Sequence, residues 1–339
     1  MTLQLTKLIA WFVVVLVAQK GTSVPVPVLD VPSLTQQSEL VVVGKVESVR
    51  DLGPTTADIQ GRSVAAHIIV CQMDVSGVLK GVASSKLSIR YVLPDEPVGY
   101  GSVAASSYQI VFLRKDDGEY AFANPYHASL PAVPGTLVEA GDVLSNITRQ
   151  LGAVVQSTAT LSDQKQLALY ALSTIRTPQS TTLLREALKQ KDSALRLNAA
   201  GFLLLRNDVS GLNLAEASLL RPEGDVPRYI LHNVAYGISE GVRDQNAVPS
   251  LSRLLRAQDI ETRRAAASAL RHTGSRSALE PLAHALGDGD FEVRYEAVIG
   301  LGEITGQSDW GPGMDVFQSE ESKYLEHWRE WALTNGLLQ

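Results

Sequence analysis

The sequence lacks most of what catalysis by a known motif requires. It has one cysteine, Cys71, in 339 residues, so no disulfide can form within the chain. It has no HExxH, GxSxG, CxxC, GxGxxG or phosphate-loop pattern. Its six histidines, at 67, 127, 232, 272, 284 and 327, show no metal-ligand spacing. Gly287–Asp290 reads GDGD but lacks the rest of a calcium loop. Aromatic residues are 6% of the chain and net charge is only -6, so nothing global recruits nucleic acid or anionic lipid. These absences direct attention away from enzymes, cofactors and metals. None is expected here.

Long apolar runs are also missing, with one exception. Lys7 precedes an unbroken apolar stretch over residues 8–18. That is too short to cross a bilayer comfortably, which takes about 20 residues. A basic start, such a core and the small residues Gly21, Thr22 and Ser23 read as a secretory signal peptide over 1–23. The expectation is an exported protein, periplasmic or secreted, with no stable membrane insertion after cleavage. An uncleaved anchor is the alternative.

What is present falls into two halves. Residues 24–37 open with VPVPVLDVP, where proline removes backbone donors, and read as an extended linker. Residues 38–135 carry period-two patterns. Ile69, Cys71, Met73 and Val75 share one face, and Leu87, Ile89 and Tyr91 alternate with polar residues. Asp117-Gly118 separates two such runs as a hairpin turn. Short strands divided by turns predict a small antiparallel β barrel. A thiol among these apolar neighbours predicts an inert core cysteine rather than a nucleophile. Residues 124–135 read as loop.

From about residue 141 the period changes to that of helices, and the sequence repeats. Residues 247–277 laid over 278–308 agree at nine of 31 positions without a gap. Leu251 falls on Leu282, Asp259 on Asp290, Arg263 on Arg294 and Leu270 on Leu301. Leu184, Leu188, Asp192 and Arg196 keep the same mutual spacing in an earlier copy. Each tile is a helix, a short turn ending in Asp, and a second helix. The Asp side chain can accept from free N–H groups of that second helix, a contribution of about 1 kcal/mol. Ala199, Ala200, Ala266 and Ala297 let helices approach closely. One tile cannot bury its apolar face alone, but stacked tiles can.

This pattern over 141–306 resembles HEAT repeats, most closely the short bacterial type named for phycobilisome lyases. The resemblance implies an all-α HEAT-like solenoid used for protein–protein contact. It also implies a ladder between repeats made by Asp192, Asp259 and Asp290 with Arg196, Arg263 and Arg294. The copy at Asp225 departs from it, because Arg228 follows after three residues. A lyase-type enzyme is the alternative by family association, but the matching residues are stacking residues rather than a catalytic set. The strands, through SELVVVGKVESV, VSGVLKG and SYQIVFLRKDDGEY, more loosely resemble an OB-fold or netrin-like barrel.

Two charged or aromatic groups remain as binding candidates. Arg253, Arg256, Arg264, Arg271 and Arg276 could form a surface for an anionic partner, or could pair with the acidic tile that follows, Asp288, Asp290, Glu292, Glu296 and Glu303. In the C-terminal region, 307–339, Tyr324, Trp328 and Trp331 fall near one helical face. They predict a helix capping the array. Exposed indoles there, with Trp310, would instead suit a sugar or small ligand. Asn146-Ile147-Thr148 is a glycosylation sequon.

Overall fold

A computed structural model describes residues 27–96, 99–139, 141–222, 224 and 226–338. The expected signal segment, 1–23, and Asp225 lie outside the described residues. The chain forms two compact units, 1–183 and 184–339.

The first unit starts with a correction. The expected linker is helical at its end: α1 spans Val31–Gln37. Asp30 caps it by accepting from the Ser33 amide at 2.7 Å, and Pro32 sits in the first turn, where a missing N–H costs little. Val31 and Leu34 are buried. At its other end the Lys80 ammonium donates to the carbonyl oxygens of Thr35, at 2.8 Å, and Ser38, at 2.6 Å.

The strands are β1 (Leu40–Ile59), β2 (Arg62–Lys80), β3 (Lys86–Pro94), β4 (Tyr108–Asp116), β5 (Glu119–Phe122) and β6 (Ser129–Pro131). They form one six-stranded sheet in the order β1-β2-β3-β5-β4-β6, with β4 also pairing back to β1. The sheet corrects the barrel expectation in two respects. It is not wholly antiparallel, and β3 meets β5 through a single parallel pair, Ile89 with Tyr120, so no continuous barrel wall forms. Ser129–Pro131 pairs with β4 and is strand, not loop.

Alternation explains the core of the sheet. Ile69, Cys71 and Met73 lie against Leu87, Ile89 and Tyr91, all buried. Asp117 and Gly118 both have positive φ, 47° and 84°, as a primed two-residue hairpin requires. Gln60 and Gly61, at 54° and 80°, make the same kind of turn at the tip of the long β1–β2 hairpin.

Helices α2 (Val143–Gln156) and α3 (Ser162–Thr174) pack on β6 and on each other within this first unit. The expected start of the repeats at 141 therefore falls inside the unit that holds the sheet. Asn146 is buried at the start of α2 and exchanges hydrogen bonds with the Glu139 backbone. In the folded chain the sequon asparagine is thus occupied by local structure.

In the second unit follow α5 (Ser193–Leu204), α6 (Leu212–Leu220), α7 (Arg228–Gly241), α8 (Val248–Leu254), α9 (Ile260–His272), α10 (Leu279–Ala285), α11 (Phe291–Thr305) and α12 (Met314–Thr334). A further helix, α4 (Pro178–Ala187), spans the junction between units. Helix α5 packs on α7, α7 on α9 and α9 on α11, while α6 packs on α8. Their shared core runs from Leu197 to Trp328 and includes Leu251, Leu270, Leu282 and Leu301. At α5–α7 the contact is main chain on main chain. A Cβ on Gly237 would overlap the Gly201 carbonyl oxygen, and one on Gly241 would overlap that of Leu204. No helix among the described residues is long and apolar enough to cross a membrane.

Candidate interaction surface

The caps come first, because they set the helices in place. Asp192 accepts from the Leu195 amide at 3.0 Å and opens α5. Asp259 accepts from both the amide, at 2.9 Å, and the hydroxyl, at 2.8 Å, of Thr262 and opens α9. Asp290 accepts from the amides of Glu292 and Val293, each at 3.1 Å, and opens α11. Helix α7 begins after Pro227 with no side-chain cap.

Arg263 and Arg294 reach across from one helix pair to the next, but not to the cap aspartates the resemblance implies. Arg263 takes Asp288, at 2.8 and 3.2 Å, and also donates to the Ala257 and Gln258 carbonyls. The cap Asp290 is held instead by Arg264, at 2.9 and 2.7 Å. Arg294 donates to Glu321 at 2.6 Å and to the Asp288 carbonyl at 2.9 Å. Arg196 is half-buried on α5, and its Nε has no hydrogen-bond partner among the described residues. The physical reason is length. A guanidinium at the start of one helix spans to the neighbouring turn, where Asp288 stands two residues ahead of the cap.

The arginine patch is similarly committed. Arg253 pairs with Glu216 through two nitrogens. Arg264 touches Glu261 and Glu292 as well as Asp290, at 3.6 and 3.1 Å. Arg271 bridges Glu296, at 3.1 Å, and Glu303, at 2.7 Å. Arg256 and Arg276 are exposed. Three of the five candidate cations therefore already hold carboxylates.

These pairs shift the acids they hold. The Arg264 hydrogen bonds keep the Asp290 carboxyl below the usual carboxylate range. Arg253 does the same for Glu216. Glu296 goes the other way, because burial raises it more than Arg271 lowers it. Burial, then the nearby Arg243 and Arg271 charges, lowers His272.

The C-terminal aromatic residues are mostly core. Trp328 is fully buried and its indole N–H donates to the Trp310 carbonyl at 2.9 Å. Tyr324 is buried, with its ring edge-on to Trp310. His327 stacks on Trp310 with ring centroids 3.6 Å apart. Trp331 is half-buried against Trp328. With its central indole enclosed, the group is packed as a cap and offers Trp328 to no sugar.

Sequence reasoning did not single out the first turns of three helices. Helix α9 begins Ile260-Glu261, α11 Phe291-Glu292 and α12 Met314-Asp315. Each pairs an apolar residue at the first position with an acid at the second. The acids suit the positive end of a helix. Ile260 and Met314 are 46% and 47% exposed, and no such reason explains them. The alignment of Ile260 on Phe291 was the available signal.

Comparison with known families places one part of this surface. The family model described as HEAT repeats matches residues 247–333, which covers α8 to α12. The match thus includes α12, which the sequence sets apart as a cap, and begins after α7. No curated protein matches the chain.

Proposed function

We propose that the second unit is a protein-interaction scaffold: a HEAT-like solenoid without catalytic chemistry of its own, in an exported protein. The observation that carries this reading is the HEAT match over 247–333, laid on helices that stack in succession with their charges paired between neighbours. Stacked tiles present one extended surface assembled from many short elements, which suits a protein partner better than a small molecule. Of the polar groups that sequence reasoning put forward, Arg253, Arg263, Arg264, Arg271 and Arg294 hold carboxylates of neighbouring elements, which favours stacking. The lyase alternative gains no support from them.

The first unit we read as an OB- or netrin-like module. Its pairings run β1-β2-β3-β5-β4 and back to β1, the connectivity of a partly open five-stranded barrel. Export rests on Lys7 and the apolar core at 8–18.

The test is affinity capture with the full chain lacking 1–23, from an extracytoplasmic extract of its source. The expected result is one or more proteins that bind again, saturably, when purified and titrated by calorimetry. Recovery of a small molecule with no protein would overturn the reading.

A further inference from the structure

The first turns of α9, α11 and α12 lie along one edge of the helical unit. Arg264 on α9 reaches Asp290 and Glu292 at the start of α11, so those two helices begin side by side. Phe317 in the first turn of α12 lies against Phe291 and Tyr295 of α11, ring centroids 5.3 and 5.4 Å apart. This edge therefore carries a row of apolar side chains, Ile260, Phe291, Met314 and Val316. Three of these are 45–47% exposed, and Phe291 is partly covered by Phe317.

A row of carboxylates runs beside it: Glu261, Glu292 and Asp315. The cations within reach are already engaged. Arg263 is held by Asp288, Arg264 by three carboxylates, and Arg294 by Glu321. Glu261 and Glu292 keep 54% and 51% of their side chains in solvent while sharing one arginine. The surrounding chain has the same sign. Residues 288–339 contain eleven Asp and Glu against three Lys and Arg. The arginine-rich stretch thus presents negative charge at this edge, the reverse of what its sequence suggests.

We propose that this edge receives a cationic amphipathic helix of a partner protein. The inference rests on the scaffold reading and names the chemistry of its partner. Packed helices lie about 8–10 Å apart, so three successive first turns span about 18 Å. A helix of about twelve residues covers that length at about 1.5 Å per residue. Its apolar stripe would lie on Ile260, Phe291 and Met314, and flanking Lys or Arg would meet Glu261, Glu292 and Asp315. Docking an apolar helix face in this way is an established recognition mode, and the charge row sets the sign of the partner.

The probe is a labelled fifteen-residue helical peptide with a leucine stripe flanked by lysines, titrated by anisotropy into the full chain. A peptide with glutamates for lysines is the comparator. The lysine peptide should bind, and the glutamate peptide at least tenfold more weakly. Ile260→Ser with Met314→Ser, and separately Glu261→Gln with Glu292→Gln, should each weaken the lysine peptide at least tenfold. Arg256→Ala with Arg276→Ala should leave it unchanged. Of the substituted side chains only Glu292, bridged to Arg264, makes an inter-helix ion pair among the described residues, and matching melting curves check the fold. Equal binding of the two peptides, or lysine-peptide binding insensitive to both edge variants, overturns the proposal. If capture recovers a partner while the lysine peptide does not bind, the edge assignment falls and the scaffold reading stands.

Discussion

Asp290 holds Arg264 and the first turn of its own helix at once. Its Oδ1 accepts from the Arg264 Nε at 2.9 Å and from the amides of Glu292 and Val293 at 3.1 Å. One carboxylate thus both starts α11 and ties it to α9. Asp259, by contrast, serves only Thr262 among the described residues. Asp290→Ala should therefore cost about 1–2 kcal/mol and Asp259→Ala about 1 kcal/mol, within the range for lost caps. Urea unfolding of both variants gives the order. A larger loss for Asp259→Ala would contradict it.

The same pair sets a pH dependence. The Asp290 carboxyl is lowered in the native state, so its contribution is complete above the unfolded value, about 4. It is lost as pH falls through the lower native value. The stability difference between wild type and Asp290→Asn should shrink steadily below about pH 4. A difference that stays constant from pH 6 to pH 2 would remove the carboxylate from the account.

Glu296 should behave in the opposite sense. Its native value is raised, so stability linked to it is present below about pH 4.3 and lost as pH rises through the raised value. Glu296→Gln keeps an acceptor for Arg271 and removes the buried charge. The variant should match wild type at pH 4 and melt at an equal or higher temperature at pH 7. A lower melting temperature at pH 7 would mean that the ion pair with Arg271 outweighs burial.

The glycines between α5 and α7 predict a sharp contrast. Gly237→Ala places a methyl group on a backbone oxygen that cannot swing aside, and should cost about 2 kcal/mol or more. Gly289→Ala meets nothing within 4 Å and should change stability by less than about 0.5 kcal/mol. Thermal melts of the two variants decide the matter. Equal effects would show that the α5–α7 approach is not close.

Cys71 supplies a check on the sheet. Burial pushes its thiol up to about 11, and the side chain is fully buried in the core of the sheet, on a strand flanked by β1 and β3. A disulfide reagent at pH 8 should label the native chain more than a hundredfold more slowly than the chain in guanidinium. Comparable rates would place Cys71 outside the core.

Much of the second unit was legible in the sequence because its signals are local. Asp259 and Asp290 stand directly before apolar helices, and the 31-residue register superimposes Leu251 on Leu282. The arginine partners were not legible. Asp288 and Asp290 both lie within reach of α9, and only side-chain geometry assigns the first to Arg263 and the second to Arg264. In the sheet, Cys71 and its neighbours alternate cleanly and are placed by period alone. The outer part of the β1–β2 hairpin is not, because Gly53, Pro54 and register shifts between Asp51 and Pro54 interrupt the alternation. Helix α1 was hidden by Pro32 and the prolines that precede it, which read as a spacer until Asp30 and Lys80 are seen at its two ends.

The two kinds of helix contact described in the second unit have different mechanical properties. Between α5 and α7 the backbones touch at Gly201, Gly237 and Gly241, and little can be compressed or stretched there. Between α9 and α11 the apolar core is supplemented by arginines on long, jointed stems, which can lengthen without letting go. A helical unit made of both should bend unevenly. Its compliance should be concentrated near Arg271 and rise as added salt screens the bridges, while the glycine junction near Gly237 should respond little to salt.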